Sequence, residues 1–240
     1  MVGSGPPILD FSAFYSDGAT KKQQLVDDIR SCCLYDGFFQ IVGTKSAQSS
    51  KSGHSTCQRT LTSWGRGYSP YGVQMLEPGT KPEMNEGFFL GDDIPTTHPY
   101  FVNKKMQSGP NVWPKASTMA GASDFKVTST EYLSAIHELA SDLLKALALT
   151  LGLSEDYFNA FETGAVPLLK YLHYPPQEKD SEDRLARGIG AHTDWGAITL
   201  LLQGEVDGLQ VWDKVTEAWL DVVLVKGAYV VNIGNMLMRW

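Results

Sequence analysis

A histidine and an aspartate stand two residues apart at His192 and Asp194, just before an apolar run at 198–203 whose Ile, Thr and Leu content is typical of a buried strand. In extended backbone, residues i and i+2 point to the same side, so the imidazole and the carboxylate can reach one metal ion. They are two members of the 2-His-1-carboxylate set, which leaves coordination positions of Fe(II) open for a cosubstrate and O2. The pair therefore indicates a candidate iron site.

The triplet alone has little weight, because a chain with 5 histidines and this aspartate content contains a chance His-x-Asp at odds of roughly one in three. The string at 192–201, His-Thr-Asp-Trp-Gly-Ala-Ile-Thr-Leu-Leu, is more specific. It resembles, almost position for position, the iron-binding strand of the isopenicillin N synthase-like family of Fe(II)/2-oxoglutarate-dependent dioxygenases. The resemblance implies an α+β fold with a double-stranded β-helix (jelly-roll) core and outer helices.

The same resemblance implies roles for four residues. His192 and Asp194 match two Fe(II) ligands, with a distal histidine as the third in the family. Tyr174, in a His-Tyr-Pro string, matches the tyrosine whose hydroxyl contacts 2-oxoglutarate. Asn232, in a Val-Asn-Ile-Gly string, matches a residue near the same cosubstrate, with lower specificity. The implied cofactors are Fe(II), 2-oxoglutarate and O2, with ascorbate as reductant.

Three aromatic residues are candidates for substrate contact. Trp195 directly follows the ligand pair, and Phe88 and Phe89 lie in a Glu-Gly-Phe-Phe-Leu-Gly string that resembles a wall of the active-site mouth in the family. Core packing explains Phe88 and Phe89 equally well, and for Trp195 it is the slightly favoured alternative. The three residues predict only an apolar ligand, with an aromatic one as a special case.

The resemblance is incomplete at its C-terminal side. Relatives continue through the distal histidine and an Arg-x-Ser that pairs with the far carboxylate of 2-oxoglutarate, whereas here no histidine follows His192. We therefore expect a jelly roll without its last strands. Two alternatives stay open: a non-catalytic, truncated oxygenase remnant that acts, if at all, through a partner, and an enzyme that uses Fe(II) and O2 without 2-oxoglutarate.

Apolar periodicity supplies the elements that would hold this site. Short strands separated by turns predict an antiparallel sandwich or jelly roll from residue 167 onward. These strands cover 168–174, 198–203, 209–212, 219–222 and 229–233, with earlier strands at 8–11 and 38–42. Helices are predicted at 21–35, ending before Gly37, at 128–151, with Thr128 and Glu131 as a capping box and Gly152 as the stop, and at 154–164.

This pattern divides the chain into an N-terminal dioxygenase region, 1–120, and a region with the long helix and the oxygenase jelly-roll core, 121–240. Residues 44–63 depart from the family and are rich in Ser, Thr, Lys and Gln. Such a composition predicts a loop or a disordered segment, in which His54 and Cys57 are more simply solvated than metal-bound. Residues 92–114 are predicted to form a surface connection.

Composition limits the partners. The formal net charge of -7, with no Lys/Arg-dense stripe to offset it, argues against nucleic acid. Neither a secretory signal nor a membrane span is visible, and the 3 cysteines do not form a disulfide framework. We expect a cytoplasmic enzyme that oxidises a small organic molecule by hydroxylation, desaturation or ring closure. Substrate identity and oligomeric state do not follow from the sequence.

Overall fold

The computed structural model describes residues 5–45, 61–76, 79, 81–176 and 188–239. These residues divide into two compact units. Unit 1 comprises the described residues of Met1–Ser50, Ala135–Gly164 and Thr193–Trp240, and unit 2 those of Lys51–Ser134 and Ala165–His192. The regions 1–120 and 121–240 divide the chain differently and stay a prediction. His54 and Cys57 lie outside the described residues.

Helices and strands are mixed along the chain, as the α+β expectation requires. Each strand predicted from periodicity is present with its ends displaced by at most one residue. In chain order the strands are β1 (Ile8–Asp10), β2 (Phe38–Val42), β3 (Gly67–Ser69), β4 (Glu86–Gly91), β5 (Leu168–His173), β6 (Ile198–Leu202), β7 (Gln210–Asp213), β8 (Ala218–Asp221) and β9 (Tyr229–Ile233). The helices are α1 (Ala19–Tyr35), α2 (Pro99–Val102), α3 (Ala122–Thr150) and α4 (Asn159–Thr163).

The main sheet of unit 1 has the strand order β1-β2-β9-β6. β1 runs parallel to β2, whereas β9 pairs antiparallel with both β2 and β6. Successive side chains of β9 alternate between two faces: Tyr229 and Val231 belong to the large core cluster, and Val230 to a smaller cluster with Val211 and Val222. Asn232 therefore shares the face of Val230.

Helices α1 and α3 contribute to the large core of unit 1. Ile29 of α1, Leu143 of α3 and Phe39 of β2 are all fully buried in this cluster. Apolar residues recur along each helix at three- and four-residue steps, which places them on one helical face. The predicted core-facing role of both helices is confirmed. The hairpin β7–β8 belongs to the same unit and carries a T-shaped pair of Trp212 and Trp219, with ring centroids 5.4 Å apart.

The predicted start of the long helix is wrong. α3 begins at Ala122, because a tight turn ending at Gly121, with φ of +77°, lets the Ala122 amide donate to the carbonyl of Met119. Thr128 therefore lies inside the helix and does not cap it. The predicted stop is confirmed: Gly152 has φ of +71° and the Leu153 amide donates to the carbonyl of Ala148.

Two other helical expectations also need correction. The helix predicted at 154–164 is confined to Asn159–Thr163, and the connection at 92–114 contains the short helix α2. In contrast, α1 ends before Gly37 as predicted, with φ of +80° at that glycine. None of the described helices combines the length and the apolar composition needed to cross a bilayer.

Unit 2 is built on a sheet of order β3-β4-β5 with both pairs antiparallel. Sequence patterning predicts no strand at β3 or β4, since both are interrupted by glycine, which lowers strand propensity. Close packing explains why position 91 is a glycine, since a side chain there would overlap the guanidinium of Arg66 and the carbonyl oxygen of Pro167. Residues 86–91, where the sequence pattern predicts no strand, therefore form one.

The buried stripe of α3 yields a test of the core. Replacing the fully buried Leu143 with Ala is expected to lower the free energy of unfolding by about 2–5 kcal/mol, because it removes apolar contacts and leaves a cavity. Leu34→Ala is the matched control, since Leu34 lies on α1 and is 73% exposed; a change of about 0.5 kcal/mol or less is expected there. Urea unfolding followed by circular dichroism measures both, and equal losses would refute the assigned core.

Candidate metal centre

Two hydrogen bonds converge on one oxygen of Asp194 in unit 1. The hydroxyl of Thr199, on β6, donates to Oδ2, and Nδ2 of Asn232, on β9, donates to the same atom over 2.8 Å. Thr199 and Asn232 are direct partners in the antiparallel register of these strands, so one pairing delivers both donors to the same face. Oδ2 of Asp194 is therefore held by donors from two neighbouring strands.

The backbone around Asp194 is held by the turn that follows β9. The amide of Asn235 donates to the carbonyl of Asp194 over 2.8 Å, and the amide of Gly234 donates to that of Ala197 over 2.8 Å. A side chain at Gly234 would overlap the carbonyl oxygen of Gly196, so only glycine allows this close approach. The position of Asp194 is thus fixed through both its main chain and its side chain.

The imidazole of His192, in unit 2, is oriented by a main-chain carbonyl. Its Nδ1 lies 2.8 Å from the oxygen of Gly190. A carbonyl can only accept, so Nδ1 carries the proton in the neutral ring and the lone pair is on Nε2. Metal-binding histidines are commonly fixed in this way by a hydrogen bond to the other ring nitrogen. The chemistry of the ring therefore fits a metal ligand bound through Nε2.

Gly190 is itself held by a carboxylate that is distant in sequence. Its amide donates to Oε1 of Glu83 over 3.1 Å, and Glu83 is buried. Two residues earlier, the carbonyl of Gly188 accepts from Nδ2 of Asn85 over 2.7 Å. The segment that leads into His192 is thus attached at two points to residues just before β4.

Tyr174 follows β5 in the same unit, and its ring lies against Gly188, where an added Cβ would be 2.9 Å from Cδ1. Tyr174 is 43% exposed, and its partial burial raises the pKa of the phenol, as does the negative charge of Glu83. A phenol in this environment keeps its proton and can donate a hydrogen bond to an anionic ligand. This chemistry fits the role that the resemblance implies for Tyr174.

The aromatic candidates have different surroundings. Phe89 is buried, and the Phe88 ring packs on Phe125 and Trp113 with centroids 5.4 and 6.2 Å away. These contacts favour the packing alternative for both phenylalanines. Trp195 is 75% exposed, which does not favour a packing role.

Sequence reasoning missed several residues of this arrangement. Thr199 is a threonine in an apolar strand with no signal of its contact, and Asn232, which the resemblance matches to a residue near the cosubstrate, donates a hydrogen bond to Asp194. Glu83, in a Lys-Pro-Glu string, has no sequence feature that identifies its contact with Gly190. In the described part of the chain, no group of three or more His, Cys, Asp or Glu side chains is placed to hold a metal. The described residues thus offer His192 and Asp194 as candidate ligands without a third.

The sequence of this chain is similar to those of known oxygenases. A family model described as the 2OG-Fe(II) oxygenase superfamily matches residues 165–240. The chain is 46% identical to the 2-oxoglutarate-Fe(II) type oxidoreductase hxnY of Emericella nidulans, with 100% of this chain and 72% of that protein covered. It is 34% identical to clavatol oxidase claD of Penicillium crustosum, with 96% of this chain and 76% of that protein covered.

Solved structures give the same result for the fold. A full-length Neurospora crassa protein in complex with alpha-KG matches with a TM-score of 0.80 and 24% identity, covering 100% of this chain and 76% of that one. A 2OG-Fe(II) oxygenase family protein from Caulobacter crescentus matches with a TM-score of 0.76 and 26% identity, covering 98% and 76%. The predicted jelly-roll class is confirmed by these likenesses.

The environment of Tyr174 predicts a raised pKa for its phenol. We expect the Tyr174 phenol to titrate above the ordinary value of about 10, because burial and the nearby charge of Glu83 disfavour the phenolate. The difference between the absorbance titrations of the native chain and Tyr174→Phe at 295 nm isolates this group. A lost step with its midpoint at or below pH 10 would contradict the assignment.

Proposed function

Because the chain belongs to the 2OG-Fe(II) oxygenase superfamily, we propose that His192 and Asp194 are ligands of its Fe(II) and that Tyr174 binds its 2-oxoglutarate. The chain is a 2-oxoglutarate- and Fe(II)-dependent dioxygenase that oxidises a small organic molecule. The observation that carries the assignment is a set of three hydrogen bonds that orient the two side chains, one at Nδ1 of His192 and two at Oδ2 of Asp194. Nε2 of His192, which has the lone pair in this tautomer, is accordingly the proposed donor atom of the imidazole.

The bound Fe(II) would supply the oxidation, in which 2-oxoglutarate and O2 give succinate and CO2 while a substrate C–H bond is oxidised. The residues of this chain would orient the reactants. Thr199 and Asn232 hold the carboxylate of Asp194, so that its free energy of reorganisation on metal binding is small. Tyr174, protonated at neutral pH, would donate a hydrogen bond from its hydroxyl group to a carboxylate oxygen of 2-oxoglutarate.

Asn232 has a different proposed role from the one that the resemblance implies. Its amide already donates to Asp194, which supports a function in holding the ligand. We therefore propose that Asn232 positions the metal ligand Asp194, and that of these two residues only Tyr174 contacts the cosubstrate. The isopenicillin N synthase-like type within the superfamily stays part of this proposal.

The proposed substrate is a small molecule with a flat, unsaturated ring. Support comes from Trp195, whose exposed indole follows the ligand pair in sequence and can stack on such a ring. Phe88 and Phe89 are not proposed as substrate contacts, since they pack within unit 2. One similar protein is named clavatol oxidase, and the similar Neurospora crassa protein has also been solved with thymine. Hydroxylation, desaturation and ring closure are all compatible with this substrate class.

The two alternatives are less well supported. A non-catalytic remnant does not account for 46% identity, across the whole chain, to a protein named as an oxidoreductase. An enzyme without 2-oxoglutarate is disfavoured, because the relatives are named for that cosubstrate.

Anaerobic Fe(II) titration tests the assigned ligand. With 2-oxoglutarate present, the chain is expected to develop the weak visible charge-transfer band of the iron chelate, and His192→Ala is expected to lose it. His137→Ala is the matched control, because His137 lies on α3 and faces Glu162 at 3.6 Å, away from the proposed ligands in sequence. A band that survives His192→Ala would exclude His192 as a ligand.

The hydroxyl of Thr199 is the second target. Thr199→Val keeps the shape of the side chain but removes a donor to Asp194, so the Fe(II) affinity is expected to fall about tenfold. Thr216→Val is matched to it, since the Thr216 hydroxyl donates over 2.6 Å to Asp213 at the β7–β8 turn. Fluorescence-monitored metal titration compares the two variants. Equal affinities in both would contradict the role of Thr199.

A further inference from the structure

We propose that Glu83 is a positioning residue for His192: its carboxylate holds the amide of Gly190, and the carbonyl of Gly190 fixes the tautomer and orientation of the imidazole. The proposal rests on the proposed role of His192 as an Fe(II) ligand. Glu83, Gly190 and His192 all belong to unit 2, and the two hydrogen bonds connect them in series.

The first step is the burial of a charge. Glu83 is 2% exposed, and its Oε1 accepts from the amides of Gly190 and Leu76 over 3.1 and 3.3 Å. An ionised carboxylate taken out of water is costly unless N–H donors replace its hydration. Hydrogen bonds to such a charge are roughly twice as strong as neutral ones. The amide of Gly190 is therefore strongly held, since the buried carboxylate depends on it.

The second step passes this restraint to the metal ligand. The carbonyl oxygen of Gly190 lies 2.8 Å from Nδ1 of His192 and selects the tautomer that is protonated there. Both hydrogen bonds involve the main chain of the same residue, so a displacement of Gly190 away from Glu83 also moves the acceptor of the imidazole. Loss of that acceptor would let the ring rotate and would mix the two tautomers.

The third step is a second hydrogen bond between residues 81–85 and the segment that leads into His192. Nδ2 of Asn85, a residue that is also buried, donates to the carbonyl of Gly188 over 2.7 Å. The Tyr174 ring occupies the space that a side chain at Gly188 would need. Residues 81–85 thereby position both the approach to His192 and the surroundings of the tyrosine proposed to bind 2-oxoglutarate.

A neighbouring carboxylate supplies a matched control. Glu86 lies three residues further along, at the start of β4, and its oxygens contact Nδ1 of His173 at 2.9 Å and the hydroxyl of Tyr68. Both of these contacts are with side chains of unit 2, and neither involves Gly190. Glu86→Gln therefore removes the same charge from the same part of the sequence without touching the hydrogen bonds that lead to His192.

Nuclear magnetic resonance on the chelator-treated, 15N-labelled chain tests the proposal without any metal. Long-range 1H–15N spectra at pH 8 report the tautomer of each histidine, and His192→Ala identifies the signals of His192. The native chain is expected to show His192 protonated at Nδ1. Glu83→Ala is expected to give a mixture of tautomers and an upfield shift of the Gly190 amide proton, with Glu83→Gln intermediate and Glu86→Gln unchanged.

The proposal is overturned if Glu83→Ala leaves the His192 tautomer unchanged, or if the Gly190 amide shifts while His192 does not respond. Where Glu83→Ala does not fold, Glu83→Gln decides: a parallel fall in the Nδ1-protonated fraction and in the Gly190 shift supports the role, and an unaltered imidazole refutes it. Fe(II) affinity is a separate readout, with about a tenfold loss expected in Glu83→Ala. Failure of the native chain to bind Fe(II) would count against the proposed function alone.

Discussion

A metal-binding side chain directs one polar atom at the metal, and a hydrogen bond to its second polar atom holds it in that orientation. Both candidate ligands of this chain are ambiguous in isolation, because a neutral imidazole has two tautomers and a carboxylate has two equivalent oxygens. The structure removes the ambiguity at His192 with the carbonyl of Gly190, and at Asp194 with donors from Thr199 and Asn232. The rest of the described structure can be understood as the support for these contacts.

At Asp194 the support is a strand register. Thr199 and Asn232 are opposite each other in the β6–β9 pair, so their side chains reach the same oxygen from the same face. A slip of β9 by one residue would turn Asn232 to the other face of the sheet, away from Thr199. Burial of Val231 and Tyr229 between β9 and the helices fixes the register, since the slip would also expose this apolar surface. Core packing and ligand orientation thus depend on the same pairing.

Sequence patterning predicts the strands from β6 to β9 well, because short apolar segments bounded by turns are a local signal, and it identifies β9 with both of its ends. It fails at β4, where glycines needed for close packing lower the strand propensity, and at the start of α3, where the turn at Gly121 carries no apolar period. His192 and Asp194 are recognisable through a resemblance that spans ten residues. Their hydrogen-bond partners are not, since threonine, asparagine and glutamate have no pattern that reveals what they contact after folding.

The two ligands differ in how far along the chain their support lies. Asp194 is held by Thr199 and Asn232, which are 5 and 38 residues away, whereas the support of His192 begins at Glu83, whose partner Gly190 is 107 residues further along. Contacts of high sequence separation close long loops, which slows folding more than it lowers stability. Orientation of Asp194 therefore needs only the strands of unit 1. Orientation of His192 also needs the β4–β5 pairing of unit 2, which brings residues 81–85 beside the segment that leads into the histidine.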